Sequence, residues 1–199
     1  IQYFVTNNIT ISHVSGGSDH SIFLDTNGNV YSCGSGGNGR LGHGDDSDQN
    51  IPTLIQYFVT NNITISHVSG GSDHSIFLDT NGNVYSCGSG GTRDGRLGHG
   101  DDYHHFYYYT LNNKNTPTLI EYFANNNITI SHVSCGARHS IFLATNGNVY
   151  SCGKGYGGQL GHVSDSDQNI PTLIQEFVDK DITISHVSGG SRHSIFLAT

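Results

Sequence analysis

The chain has 199 residues, with Asp+Glu 16 against Lys+Arg 8 and a formal net charge of −8. Twenty-seven glycines, no Met, no Trp and only 12% charged residues exclude a disordered polyelectrolyte and argue against a helical bundle. The acidic balance disfavours nucleic acid and anionic membrane surfaces as partners, and no apolar run approaches the roughly 20 residues of a membrane span.

The N-terminus carries no basic-then-apolar leader, and an opening at Ile1 rather than Met reads as a piece of a longer chain. From there the sequence copies itself. Ile1-Gln2-Tyr3-Phe4 returns as Ile55-Gln56-Tyr57-Phe58, Ile120-Glu121-Tyr122-Phe123 and Ile174-Gln175-Glu176-Phe177, at offsets of 54, 65 and 54 residues. Repeats therefore start near 1, 55, 120 and 174. Within the first copy, Ile9 to Val14 predicts a short strand. Ser21 to Asp25 and Val30 to Cys33 then alternate with the strand period of two.

Between those two runs Asn27-Gly28 predicts a two-residue type I′ hairpin. That turn would set Leu24 opposite Tyr31 and Ile22 opposite Cys33 on one face, with Phe23 opposite Ser32 on the other. Apolar residues on both faces call for a neighbour on each side. Pro52-Thr53-Leu54-Ile55 supplies a fourth strand, and four short strands in roughly 50 residues predict a β-propeller blade. Four copies of the first half and three of the second place both chain ends inside a repeat. Residues 1–199 then form a single propeller fragment, and the outward faces of its first and last units are expected to expose Ile, Phe and Leu.

One set of residues recurs in register. It comprises Gly17, His20, Gly28, Gly34, Leu41 and Gly42; then Gly71, His74, Gly82, Gly88, Leu97 and Gly98; then Gly136, His139, Gly147, Gly153, Leu160 and Gly161; and finally Gly190 and His193. In this signature the chain resembles the regulator-of-chromosome-condensation repeat family of seven-bladed propellers. Cys33, Cys87 and Cys152 depart from the family's common Trp, and the chain is too short for the family's ring. The resemblance implies an all-β partial propeller of four-stranded antiparallel blades, about three and a half repeats of a seven-bladed ring. It implies a non-catalytic protein-interaction scaffold, with guanine-nucleotide exchange on a Ran-like small GTPase as the alternative. The partner would be another protein, a small GTPase among the candidates, in the cytoplasm or alternatively the nucleus. No cofactor is implied, and the signature residues read as structural.

Chemical motifs are weighed against that frame. Eleven of the 13 histidines are locked to the repeat, which points to blade building rather than to metal ligands gathered around one point. Cys33, Cys87 and Cys152 recur at one strand position and read as buried free thiols, with Cys135 off the pattern. Asn8, Asn62 and Asn127 head glycosylation sequons that are also repeat-locked. Asp19-His20-Ser21 and Asp73-His74-Ser75 have the composition of a hydrolase triad, but adjacent strand residues face opposite sides. Arg138 and Arg192 replace the Asp in later copies.

The glycine pattern Gly34-x-Gly36-x-x-Gly39 lacks the following helix that a dinucleotide needs. Asp165 to Asn169 with Glu176 imitates a calcium loop, but Ile170 stands where that loop needs Gly. No catalytic or metal residue is therefore assigned. The insertion at 103–116 breaks the repeat, and its Tyr103, Phe106, Tyr107, Tyr108 and Tyr109 are the candidate partner contacts.

Overall fold

The period-two runs form strands in every copy. The computed structural model describes residues 1–91, 94–100 and 112–199. Strands β1 (Ile11–Gly16), β2 (His20–Asp25), β3 (Val30–Gly34) and β4 (Gln49–Leu54) make one antiparallel sheet in sequence order. The second holds β5 (Ile65–Gly70), β6 (His74–Asp79), β7 (Val84–Gly88) and β8 (Lys114–Leu119). The third holds β9 (Ile130–Cys135), β10 (His139–Ala144), β11 (Val149–Gly153) and β12 (Gln168–Leu173). A half-blade of β13 (Ile184–Gly189) and β14 (Ser194–Ala198) ends the chain. The fold is thus an all-β partial propeller whose sheets do not close into a ring.

Hairpin register differs from expectation by one residue. Phe23 lies opposite Tyr31, Ile22 opposite Ser32, Ser21 opposite Cys33 and Leu24 opposite Val30. The turn spans five residues, closed by the Asp25 amide on the Asn29 carbonyl. Asp25 Oδ1 also accepts the Asn27 and Asn29 amides at 2.8 Å, but the third copy keeps the same register with Ala144 in that place. Only Gly28 there takes a left-handed φ, of 83°, so a type I′ turn, which needs two such residues, does not form. At the other edge of β2 a bulge falls between Ile11 and His13, and the Ser12 hydroxyl donates to the Leu24 and Asp25 carbonyls.

Each copy also opens with a five-residue helix that the sequence reading missed: α1 (Gln2–Thr6), α2 (Gln56–Thr60), α3 (Glu121–Asn125) and α4 (Gln175–Asp179). Each ends on a left-handed residue, Asn8, Asn62 and Asn127 at φ 54° and Asp181 at φ 53°. Asn and Asp tolerate that conformation better than other side-chain-bearing residues. Backbone conformation thus accounts for the repeat-locked Asn of the sequons. The helix Phe then packs edge-on against the Phe of the second strand, with centroids 5.1 Å apart for Phe4–Phe23 and Phe58–Phe77.

The core lies between blades. Ile22, Leu24 and Val30 of the first sheet pack with Phe77 and Tyr85 of the second, and Ile76, Leu78 and Val84 pack likewise with Phe142 and Tyr150 of the third. Burying such side chains contributes roughly 1.5–3 kcal/mol each. In the last unit Ile195 and Leu197, the counterparts of Ile22 and Leu24, are 60% and 61% exposed, with no further blade within residues 1–199 to cover them. In the first unit Phe4 of α1 covers Phe23 and Tyr31, leaving both buried, while Ile1 and Val14 are 67% and 60% exposed where their counterparts Ile55 and Val68 are buried.

Candidate functional site

Three sets of histidines recur with the repeat, and the first joins neighbouring sheets. In the first, His20 Nε2 meets Ser75 Oγ of the next blade at 2.9 Å, His74 meets Ser140 at 3.0 Å and His139 meets Ser194 at 2.9 Å. Ser75 has one hydroxyl proton and donates it to the Arg40 carbonyl at 2.7 Å. His20 must therefore donate from Nε2, which leaves Nδ1 unprotonated. No carboxylate orients that nitrogen: Nδ1 of His20, His74 and His139 has no hydrogen-bond partner. A Cβ added to Gly17, Gly71 or Gly136 would collide with the same ring. Burial holds His20 and His139 down at about 4 and His74 well below the usual imidazole range.

A second set works inside each blade. Ser32 donates to the Leu41 carbonyl at 2.7 Å and pairs with His43 at 3.0 Å, and Ser86–His99 and Ser151–His162 repeat the contact at 2.8 and 3.1 Å. A third set brings histidines of different blades side by side. His13, His67, His132 and His186 stand on the first strands of successive sheets, which converge, so neighbouring ring centroids are 4.5, 4.3 and 4.7 Å apart. Among the described residues, no three His, Cys, Asp or Glu side chains gather as a metal site.

The four thiols are free. Burial pushes Cys135 up to about 12 and raises Cys87 and Cys152 as well, so none is a ready thiolate. In the calcium-like loop, Asp167 instead accepts the Gly155 amide and the Lys154 ammonium, both at 2.9 Å. Asp48 likewise accepts the Gly36 amide at 2.8 Å, inside the glycine pattern that imitates a dinucleotide loop. Tyr103, Phe106, Tyr107, Tyr108 and Tyr109 lie outside the described residues.

Charge collects at the turns between first and second strands. Successive turns stack through backbone bonds, Ser18 amide to Gly71 carbonyl and Ser72 amide to Ala137 carbonyl. Between the first two blades, Arg40 lies 2.8 Å from Asp73 and 3.7 Å from Asp19. In the third blade and the half-blade the turn residues are Arg138 and Arg192, and a cleft of about 320 Å³ along the turns of the last three units is lined by both, by Lys154, Tyr156 and Gln159, and by Asp73 of the second blade. The Lys154 amide donates to the Arg138 carbonyl at 2.9 Å, which fixes their proximity. Sequence reasoning had noted the Asp-to-Arg change only as an argument against a triad.

The profile of the regulator of chromosome condensation (RCC1) repeat matches residues 27–78, 81–143 and 146–197, and a second profile of that repeat matches 11–40, 65–96 and 130–159. The chain is 31% identical over 187 residues to the E3 ubiquitin-protein ligase HERC2 of Homo sapiens, covering 94% of this chain and 4% of that protein. It is 32% identical over 191 residues to the ultraviolet-B receptor UVR8 of Arabidopsis thaliana, covering 96% and 40%. Among solved structures, Prp20p from Saccharomyces cerevisiae, described with its binding properties to Gsp1p and histones, superposes with a TM-score of 0.76 at 24% identity, covering 95% of this chain and 44% of Prp20p. The chain thus spans less than half the length of each. Among the described residues, no helix is long and apolar enough to cross a membrane.

Proposed function

The chain belongs to the regulator of chromosome condensation (RCC1) repeat family, and on that premise we propose that it serves as a non-catalytic protein-interaction scaffold. One observation carries the reading. The buried polar side chains that could suggest chemistry bond one strand or blade to another: His20 to Ser75, His74 to Ser140, Ser32 to His43. The charged side chains at the third junction instead face a cleft. Tyr103, Phe106, Tyr107, Tyr108 and Tyr109 are proposed as a further contact, on the aromatic composition of that segment. Selection of random displayed peptides on the immobilised chain, followed by calorimetric titration of enriched sequences, tests the reading. Enriched peptides with micromolar affinity are expected; no enrichment over bare support would refute it.

Exchange on a Ran-like small GTPase is the second reading, and it enters through the likeness in fold to Prp20p, which binds Gsp1p and histones. A fluorescent-nucleotide release assay on a Ran-type GTPase separates the two. The scaffold reading expects no acceleration; a tenfold acceleration, about 1.4 kcal/mol of barrier, would put exchange first.

A further inference from the structure

In a chain of near copies, the places where copies differ carry information. The turn position held by Asp19 and Asp73 is held by Arg138 and Arg192 in the later copies. In the loop after the third strand, Ser35 and Ser89 give way to Lys154, Gly37 and Gly91 to Tyr156, and Arg40 and Arg96 to Gln159. These changes meet in space: all five later residues line the same cleft. Three of the chain's eight Lys and Arg are gathered there, on a protein of net charge −8.

The other junctions show what the changes undo. Arg40 is held between two turn carboxylates, Asp19 and Asp73. At the second junction Arg96, 3% exposed, reaches Asp73 at 3.7 Å and the buried Asp94 at 2.6 Å. Arg138 finds Asp94 only at 3.9 Å, behind that closer pair. At the third junction neither turn offers a carboxylate. Lys154 keeps Asp167 at 2.9 Å and lies 3.9 Å from Asp94, but Arg192 makes no ion pair among the described residues. Gln159, in place of the central Arg, turns its amide back to the Lys154 carbonyl at 2.7 Å, and the space between the turns is left open. At the rim Tyr156 is 72% exposed.

We propose that this cleft docks an acidic segment of a partner polypeptide, with the Arg138 and Arg192 guanidinium groups receiving its carboxylates and Tyr156 packing against its backbone. The inference rests on the protein-interaction reading. Planar guanidinium groups match carboxylates two bonds at a time, and exposed Tyr is enriched at interfaces. A nucleic acid fits worse, because its charge continues past the cleft onto an acidic surface that repels it. The pocket also lies at the small end of ligand cavities, with room for a few side chains.

Fluorescein-labelled octaglutamate, titrated with the 199-residue chain and followed by anisotropy, tests the proposal. Binding that weakens with added salt is expected, falling on the order of tenfold in Arg138→Gln/Arg192→Gln. Tyr156→Ala should weaken it several-fold, and Lys180→Gln, at a cation just past the end of α4, should leave it unchanged. Since Arg138 and Arg192 are exposed, both variants should melt as the parent does. Should the double variant melt early, Arg192→Gln alone, on the turn of the half-blade, carries the comparison. Equal binding by the Arg variants, an equal loss in Lys180→Gln, or tighter binding of octathymidylate than octaglutamate would each overturn the proposal. Peptides selected on the parent chain that still bind the double variant at full strength would overturn the cleft while leaving the interaction reading standing. No selected peptide at all would remove both.

Discussion

Replacing Ser140 by Ala removes a hydroxyl that is fully buried between the second and third blades. That hydroxyl donates to the Arg96 carbonyl at 2.7 Å and accepts the His74 Nε2 proton at 3.0 Å. The substitution leaves a buried donor and a buried acceptor without partners, and each orphaned group costs about 1–3 kcal/mol. A loss of about 2–6 kcal/mol follows, which for a chain of this size lowers the melting temperature by roughly 2–4 °C per kcal/mol. Ser21 is the internal control. It occupies the same strand position in the first sheet, where no preceding blade offers a histidine. Ser21→Ala should therefore cost less than about 0.5 kcal/mol. Urea unfolding followed by far-UV circular dichroism measures both. Equal costs at the two serines, or a negligible cost at Ser140, would refute the claim that the His–Ser bonds hold blade to blade.

Three further outcomes are expected. Burial holds His20, His99 and His139 at about 4 in the folded chain, against about 6.5 unfolded. The unfolded chain therefore binds more protons between those values. The stabilisation is fully present above pH 6.5 and is lost as pH falls towards 4, on the order of 1–3 kcal/mol per ring; urea midpoints that stay flat from pH 7 to 4.5 would contradict this. Gly136→Ala drives a methyl into the His139 ring and should cost about 1–3 kcal/mol. Gly16→Ala meets nothing within 4 Å and should stay within about 0.5 kcal/mol, and thermal melts of the pair compare them directly. At φ 54°, Asn62→Ala should cost about 1 kcal/mol while Asn62→Gly is nearly neutral. Indistinguishable melts for the two Asn62 variants would show that the helix end does not depend on the left-handed residue.

Strands were legible because Ile22 to Leu24 recurs in four copies and Val30 to Cys33 in three. Their register was not, because an Asn-Gly pair fits both a two-residue and a five-residue turn, and the longer one forms from Asp25 to Asn29 and from Ala144 to Asn148 alike. The four helices escaped notice for a related reason. Five residues are too few to show a helical period, and none of the four has a side-chain cap to mark its start. The convergence of His13, His67, His132 and His186 depends on how sharply the arc curves, which no local pattern encodes. The cleft was legible in principle. Aligning Asp19 and Asp73 with Arg138 and Arg192, and Ser35 with Lys154, marks one junction as unlike the others before any coordinate is known.

The two-residue word His-Ser has a consequence for how such a chain can grow. Neighbouring residues of a strand look in opposite directions, so His74 reaches forward to Ser140 while Ser75 receives His20 from behind. Every copy therefore inherits both halves of a junction, one for each neighbour. A tandem duplication of one such unit adds a blade whose clasp is already complete, with no second mutation needed to make it fit. No junction records how many blades stand on either side of it. In an ancestral gene, blade number could drift by whole units while each boundary stayed chemically the same, and only the curvature of the arc would decide where the count must stop.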